Sequence, residues 1–224
     1  MSSQQDDLKE TDTEARFEFK KEEKSAFKSE KGLTEETVRV ISEDKDEPEW
    51  MLERRLRALE QFQEMPMPTD WPGQPDLSEV DIDEIVPYIR PDIDKRGGAD
   101  SWEDLPEEIQ DTFDKLGIPE AEKNALSGVG AQYESEIVYQ NMQERWEEKG
   151  VIFCDMDKAV QEHEEIVREH FMTKCVPPSD NKFAALHGAI WSGGSFVYVP
   201  ENTTVEMPVQ AYFRMNSEGM GQFE

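Results

Sequence analysis

Ser195-Phe196-Val197-Tyr198-Val199 follows Ser192-Gly193-Gly194 and runs into Pro200. An aromatic and β-branched run of that length, bounded by glycine and proline, reads as a strand. The glycines lack the Gly-Lys-Ser/Thr of a phosphate loop, so Ser192 to Ser195 reads as a turn between two strands. A second strand is expected through Val205 to Met215, and a third opens at Gly221-Gln222-Phe223. Upstream of Pro177-Pro178 the apolar spacing is helical instead. The fold class expected is therefore α+β, a helical N-terminal region followed by strands. The chain stops at Glu224 with no turn or cap, which would leave an unpaired strand edge and predicts a truncated β region.

Moving back from Pro178, Met156 to Met172 reads as one helix and Val151-Ile152-Phe153-Cys154 as a short buried strand. Gln140 to Lys149 reads as a helix stopped by Gly150. Further helices are expected over about 119–127 and from Pro106 to Leu116, the latter closed by Gly117 and Pro119. Residues 66–101 carry Pro66, Pro68, Pro72, Pro75, Pro87 and Pro91, which forbid a long helix and predict irregular connection. Thr34 is placed to cap a helix with Glu35 and Glu36 in its first turn and Val38 and Ile41 on one face. Glu47-Pro48 restarts a second helix with a Leu52, Leu56, Leu59 stripe flanked by Met51, Ala58 and Phe62. The first 31 residues are almost wholly polar, with Phe17, Phe19 and Phe27 as their main anchors, and predict a disordered charged arm. The expected organisation is an arm over 1–31, a helical domain over 32–178 with a strand near 151–154, and an incomplete β region over 179–224.

Charge narrows the functional classes. The chain holds 52 acidic against 24 basic residues, a formal net of −28. Such a field repels phosphate backbones and anionic lipid, so no nucleic-acid or membrane partner is expected. No uninterrupted apolar run exceeds four residues, far below the roughly 20 of a membrane span. A cytoplasmic location follows as the expectation. The acid is spread along the whole chain, on the polar faces of otherwise ordinary helices. That pattern suits a protein kept soluble at high salt better than a nucleic-acid mimic.

Chemistry-bearing residues are sparse. Cys154 and Cys175 are the two cysteines, and His163, His170 and His187 the three histidines. His163 and His170 are seven apart, whereas a zincin helix needs four. Cys154, His163, His170 and Cys175 match no zinc-finger spacing. Acidic pairs such as Glu35-Glu36 and Glu164-Glu165 are background in a chain this acidic. No residue is assigned as catalytic, cofactor-binding or metal-ligating, and an enzyme is not expected.

Several stretches resemble the SufB family of iron–sulfur cluster assembly scaffolds, within the wider SufB/SufD family. They are Gly32-Leu33-Thr34-Glu35-Glu36-Thr37-Val38, Glu47-Pro48-Glu49-Trp50-Met51-Leu52 and Lys115-Leu116-Gly117-Ile118-Pro119. Further along come Glu148-Lys149-Gly150-Val151-Ile152-Phe153-Cys154, Val176-Pro177-Pro178-Ser179-Asp180-Asn181-Lys182-Phe183 and Tyr212-Phe213-Arg214-Met215-Asn216. The resemblance implies that the strands after Pro178 begin a right-handed parallel β-helix, a solenoid. It implies the SufC ATPase and SufD, or a second copy, as partners, and a persulfide as sulfur donor. Family members are about twice this length, and the residues implicated in holding the cluster are expected beyond Glu224. This stretch alone is expected to bind no cluster. A different class, a stand-alone acidic module binding a basic partner in a halophile, also fits the charge.

Repulsion at a net of −28 makes stability salt-dependent, because molar salt shortens the screening length to about 3 Å. The melting temperature is expected to rise from low to multi-molar KCl. A flat or falling series would remove the high-salt reading.

Overall fold

The computed structural model describes residues 25–68, 77, 80–91, 107, 110–111, 114, 128–133, 136–142, 144–215 and 223. Two helices open the body. Thr34 accepts a hydrogen bond from the Thr37 N–H and caps α1, Glu35–Asp44. After a turn in which Asp46 adopts φ 50°, Pro48 starts α2, Glu49–Glu64. Both match the sequence reading, but the buried face of α2 is rotated from the leucine stripe. Met51, Arg55, Ala58 and Leu59 are its buried residues, while Leu52, Leu56 and Phe62 pack at the margin.

The segment before α1 departs from the expectation of an unstructured arm. Ser25–Lys28 forms strand β1, antiparallel to β2, Ile89–Pro91, with Phe27 tilted against Tyr88 at 5.9 Å between ring centroids. The apolar anchor Phe27 and a waiting edge are enough to order four residues of an otherwise polar stretch. The proline-rich connection likewise holds buried Val86, Tyr88 and Ile89 and a short turn of 3-10 helix at Ile82–Glu84.

Of the helix expected from Pro106 to Leu116, Glu107, Gln110, Asp111 and Asp114 are helical, and the rest lies outside the described residues. The expected 119–127 helix lies wholly outside them. Gln140 to Lys149 is not one helix. Gln140, Asn141 and Met142 end strand β4, Glu136–Met142, paired antiparallel with β3, Gly128–Tyr133. Only α3, Glu144–Glu147, is helical, and Gly150 leaves it at φ 78°. Ladder pairing across β3 overrides a local helical preference there.

Strand β5, Ile152–Asp155, is followed by α4, Met156–Glu162, and α5, Glu164–His170. The single helix expected over Met156 to Met172 is therefore broken, at His163 (φ −125°, ψ 36°). The largest departure is α6, Lys182–Ile190, in a region read as strands. Asn181 caps it by accepting from the N–H groups of Phe183 and Ala184. Its sequence is apolar on every side, so it shows no amphipathic period. The Ser192 to Ser195 turn consequently joins a helix to a strand. Strand β6, Ser195–Tyr198, pairs antiparallel with β5, and β7, Val209–Arg214, runs parallel to β3. The three-stranded sheet has the order β4-β3-β7. Among the described residues the architecture is α+β with one parallel strand pair; of the third expected strand only Phe223 is described, and its carbonyl accepts from the Ser192 N–H at 2.8 Å.

Helix α6 packs along α2, and the approach is close because the contact residues are small. A Cβ on Gly188 would lie 2.9 Å from the Ala58 Cβ and 3.0 Å from Pro178 Cγ. Gly188→Val is expected to destabilise the fold by about 1–3 kcal/mol through overpacking. Urea unfolding reads this as a lower midpoint, and an unchanged midpoint would show that the two helices separate freely.

Candidate functional site

The residues with chemical potential are held apart by the elements that carry them. Cys154 points from β5 into a core of Met51, Met156, Ala159, Val160, Val167 and Trp191. Burial, reinforced by the neighbouring Asp155 carboxylate, pushes its thiol up to about 12. Burial thus suppresses the thiolate, the form that attacks electrophiles and ligates metals. Cys175 is exposed in the loop after α5. His163 stacks on Phe196 at 6.0 Å, His170 lies exposed at the end of α5, and His187 sits in α6. The break at His163 does not gather these groups, and among the described residues no cluster of three or more His, Cys, Asp or Glu is disposed around a common ion position. An iron–sulfur cluster takes four thiolates or a thiolate–imidazole mixture, and the two thiols and three imidazoles of this chain sit on separate elements.

What the structure does bring together is a set of buried cations that the sequence reading overlooked. The Arg55 side chain is 0% exposed and that of Glu47 is 2% exposed. Arg55 donates from Nε and Nη2 to the two Glu47 oxygens at 2.7 and 2.6 Å, and from Nη1 to the Ala189 carbonyl at 3.1 Å. Its guanidinium also lies over the Trp191 ring, 4.4 Å from the centroid. Lys45, 2% exposed, donates to Asp157 at 2.5 Å and sits 5.5 Å from the Tyr88 ring centroid. Tyr88 donates its hydroxyl to Asp44 Oδ2 at 2.6 Å, and Arg90 pairs with the other Asp44 oxygen. The available signal was positional: Arg55 falls at i+4 from Met51 and i−4 from Leu59, on the buried face of α2.

Residues 105–211 match the family described as the SufBD protein N-terminal region. The chain belongs to the SufBD family. It is 55% identical over 211 residues to the iron–sulfur cluster assembly protein SufB of Bacillus subtilis, covering 94% of this chain and 44% of that protein. It is 56% identical over 208 residues to an iron–sulfur cluster assembly SufBD family protein of Staphylococcus saprophyticus, covering 93% of this chain and 43% of that protein. The chain thus spans less than half the length of the curated relatives it matches. No helix among the described residues is long and apolar enough to cross a membrane.

Arg55→Ala strands the Glu47 carboxylate in the core and is expected to cost about 3–5 kcal/mol. Replacing both partners, Arg55→Met with Glu47→Leu, is expected to recover most of that loss in chemical denaturation. A double variant as weak as the single one would show that shape, not charge, is the requirement. For the cysteines, a thiol reagent at neutral pH is expected to modify Cys175 in the native chain and Cys154 only after unfolding. Labelling of Cys154 at the rate of Cys175 would contradict its burial.

Proposed function

We propose that this chain is the N-terminal part of a non-enzymatic, cytoplasmic SufB-type scaffold on which iron–sulfur clusters are built as cargo. The 55% identity to a protein named SufB, running through the helices and strands over 94% of this chain, carries the reading. In this reading the whole protein works with a SufC-type ATPase and a SufD-type partner or a second copy of itself, and receives sulfur from a persulfide donor. Cluster ligands belong to other parts of the whole protein, in keeping with a protonated Cys154 and a lone exposed Cys175 here.

The finer fold follows the same reading. Strand β7 runs parallel to β3 at the edge of its sheet, with Phe213 exposed on it and Met215 exposed just after it. A row of that kind suits the first coils of a parallel solenoid, where each strand is covered by the next. The acidic surface suits a cytoplasm of high salt, where carboxylates hold water and screening removes their mutual repulsion.

The test is a chimera in which residues 25–215 replace the corresponding stretch of the Bacillus subtilis SufB. The chimera is expected to assemble a cluster on anaerobic reconstitution with iron and sulfide, read by visible absorption and Mössbauer spectra. A folded chimera that assembles none overturns the proposal. So does a stoichiometric cluster on the 224-residue chain alone that is lost in Cys154→Ser or Cys175→Ser, since the chemistry would then lie here.

A further inference from the structure

Arg54, Arg57 and Gln61 follow one another at helical spacing along α2 and face the loop after α5 across a cavity of about 290 Å3. The far wall is made by Met172, Thr173, Pro178 and Ser179. Like Lys182, which donates to the carbonyls of Phe62 and Met65, the two arginines here are held by main-chain oxygens. Lys31, Arg39, Lys45, Arg55, Arg90 and Arg168 each have a carboxylate partner. Arg54 and Arg57, among the described residues, have only main-chain carbonyls. Arg54 donates to Phe171 O at 2.9 Å and Arg168 O at 2.6 Å, and Arg57 donates through Nε to Glu53 O at 3.2 Å.

Two neighbouring guanidiniums held by carbonyls place positive charge at the cleft wall, while the acids of the same helix, Glu53 and Glu60, stand four residues before and three residues after Arg57. The two feel each other: Arg54 is held below its usual value by burial first, then by Arg168 and Arg57. The geometry is also prepared in advance. Arg54 is fixed across the end of α5 and lies 5.0 Å from the Trp50 ring centroid, with Arg168 5.1 Å from the same ring. Met172 holds φ 54°, a left-handed conformation uncommon for a non-glycine residue, at the point where it forms the wall. Thr173 donates its hydroxyl to the carbonyls of Glu169 and His170, and the other polar side chains lining the space besides Arg54 are Arg57, Gln61 and Ser179. Ala58, Met172 and Pro178 supply apolar surface beside them.

We propose that this cleft binds a small oxyanion, a carboxylate or phosphate group carried on a short apolar stem. Arg57 is its principal partner, and Arg54, already anchored, sets the field. A planar guanidinium fork meets either oxyanion with two parallel hydrogen bonds. The cavity volume is at the small end for ligand sites and limits the stem to a few carbons.

The experiment titrates the 224-residue chain with hexanoate, hexyl phosphate, acetate and inorganic phosphate, by calorimetry and by amide shifts in NMR. Hexanoate and hexyl phosphate are expected to bind one to one, with shifts centred on α2 and the Met172 to Ser179 loop. Arg57→Gln is expected to weaken this by about tenfold or more, the scale of losing one charge-assisted hydrogen bond. Arg39→Gln, which removes an equally exposed arginine elsewhere on the surface, is expected to leave it unchanged. Absent saturation, an unaltered affinity in Arg57→Gln, or an equal loss in Arg39→Gln each overturns the site. Acetate and inorganic phosphate binding as tightly as their hexyl counterparts overturns the apolar stem. None of these outcomes depends on cluster assembly.

Discussion

The guanidinium of Arg55 enters the core with five N–H donors and a full charge, and neither is tolerated there without partners. Its three acceptors come from separate parts of the chain: the two Glu47 oxygens from the turn before α2, and the Ala189 carbonyl from α6. Trp191, just after α6, closes over its face. Each condition constrains a different segment, so satisfying one charge sets the turn between α1 and α2, the height of α6 along α2, and the exit of the chain from α6. A well-packed apolar substitute could give equal stability, but it would not specify these three placements together. The pair acts on register more than on energy.

From Trp191 the same constraint reaches the sheets. Of the next three residues, Ser192 and Gly194 bond to three different parts of the fold. The Ser192 N–H donates to Phe223 O, the Gly194 N–H to Gln132 Oε1 of β3, and the Gly194 carbonyl accepts from the Met156 N–H at the start of α4. Gln132 is fully buried and fills the space a side chain at position 193 would need, a Cβ there falling 2.5 Å from its amide. Gly194 itself sits at φ 111°, accessible to glycine without strain. The two glycines are thus required by Gln132 and by backbone path, and a phosphate has no part in them. Helical body and sheets are joined through this short passage.

Elements with a local signature were legible in the sequence. Thr34 with Glu35 and Glu36, Pro48 before α2, Gly150, the Ile152 to Cys154 run and the Phe196 to Tyr198 run each carry a capping, stopping or β-branched signal that the structure uses as expected. What escaped was set by distant partners. Helix α6 is apolar all round because α2 lies on one side and other core groups on the others, so burial erased the period that reveals a helix. Gln140 to Met142 joined a strand because β3 was there to pair with. Phe27 ordered four residues of a charged segment because β2 offered an edge. Arg55 was hidden by its type, since an arginine among leucines reads as the polar face of a helix.

Charge is partitioned in depth, and that partition decides how the molecule responds to its medium. Lys45 and Arg55 lie inside, and Arg90 is largely covered, each against a carboxylate, while most other carboxylates among the described residues are exposed. Screening by salt acts on exposed charges separated by more than a Debye length, and reaches buried pairs far less. Raising the ionic strength therefore relieves repulsion among the outer carboxylates without loosening the pairs that position the helices. Exposed pairs such as Arg39 with Glu35 and Arg168 with Glu164 weaken, but pairs of that kind contribute less than about 1 kcal/mol each. The balance of gains and losses on adding salt is consequently expected to be favourable, because the pairs that position the helices are the ones that salt reaches least.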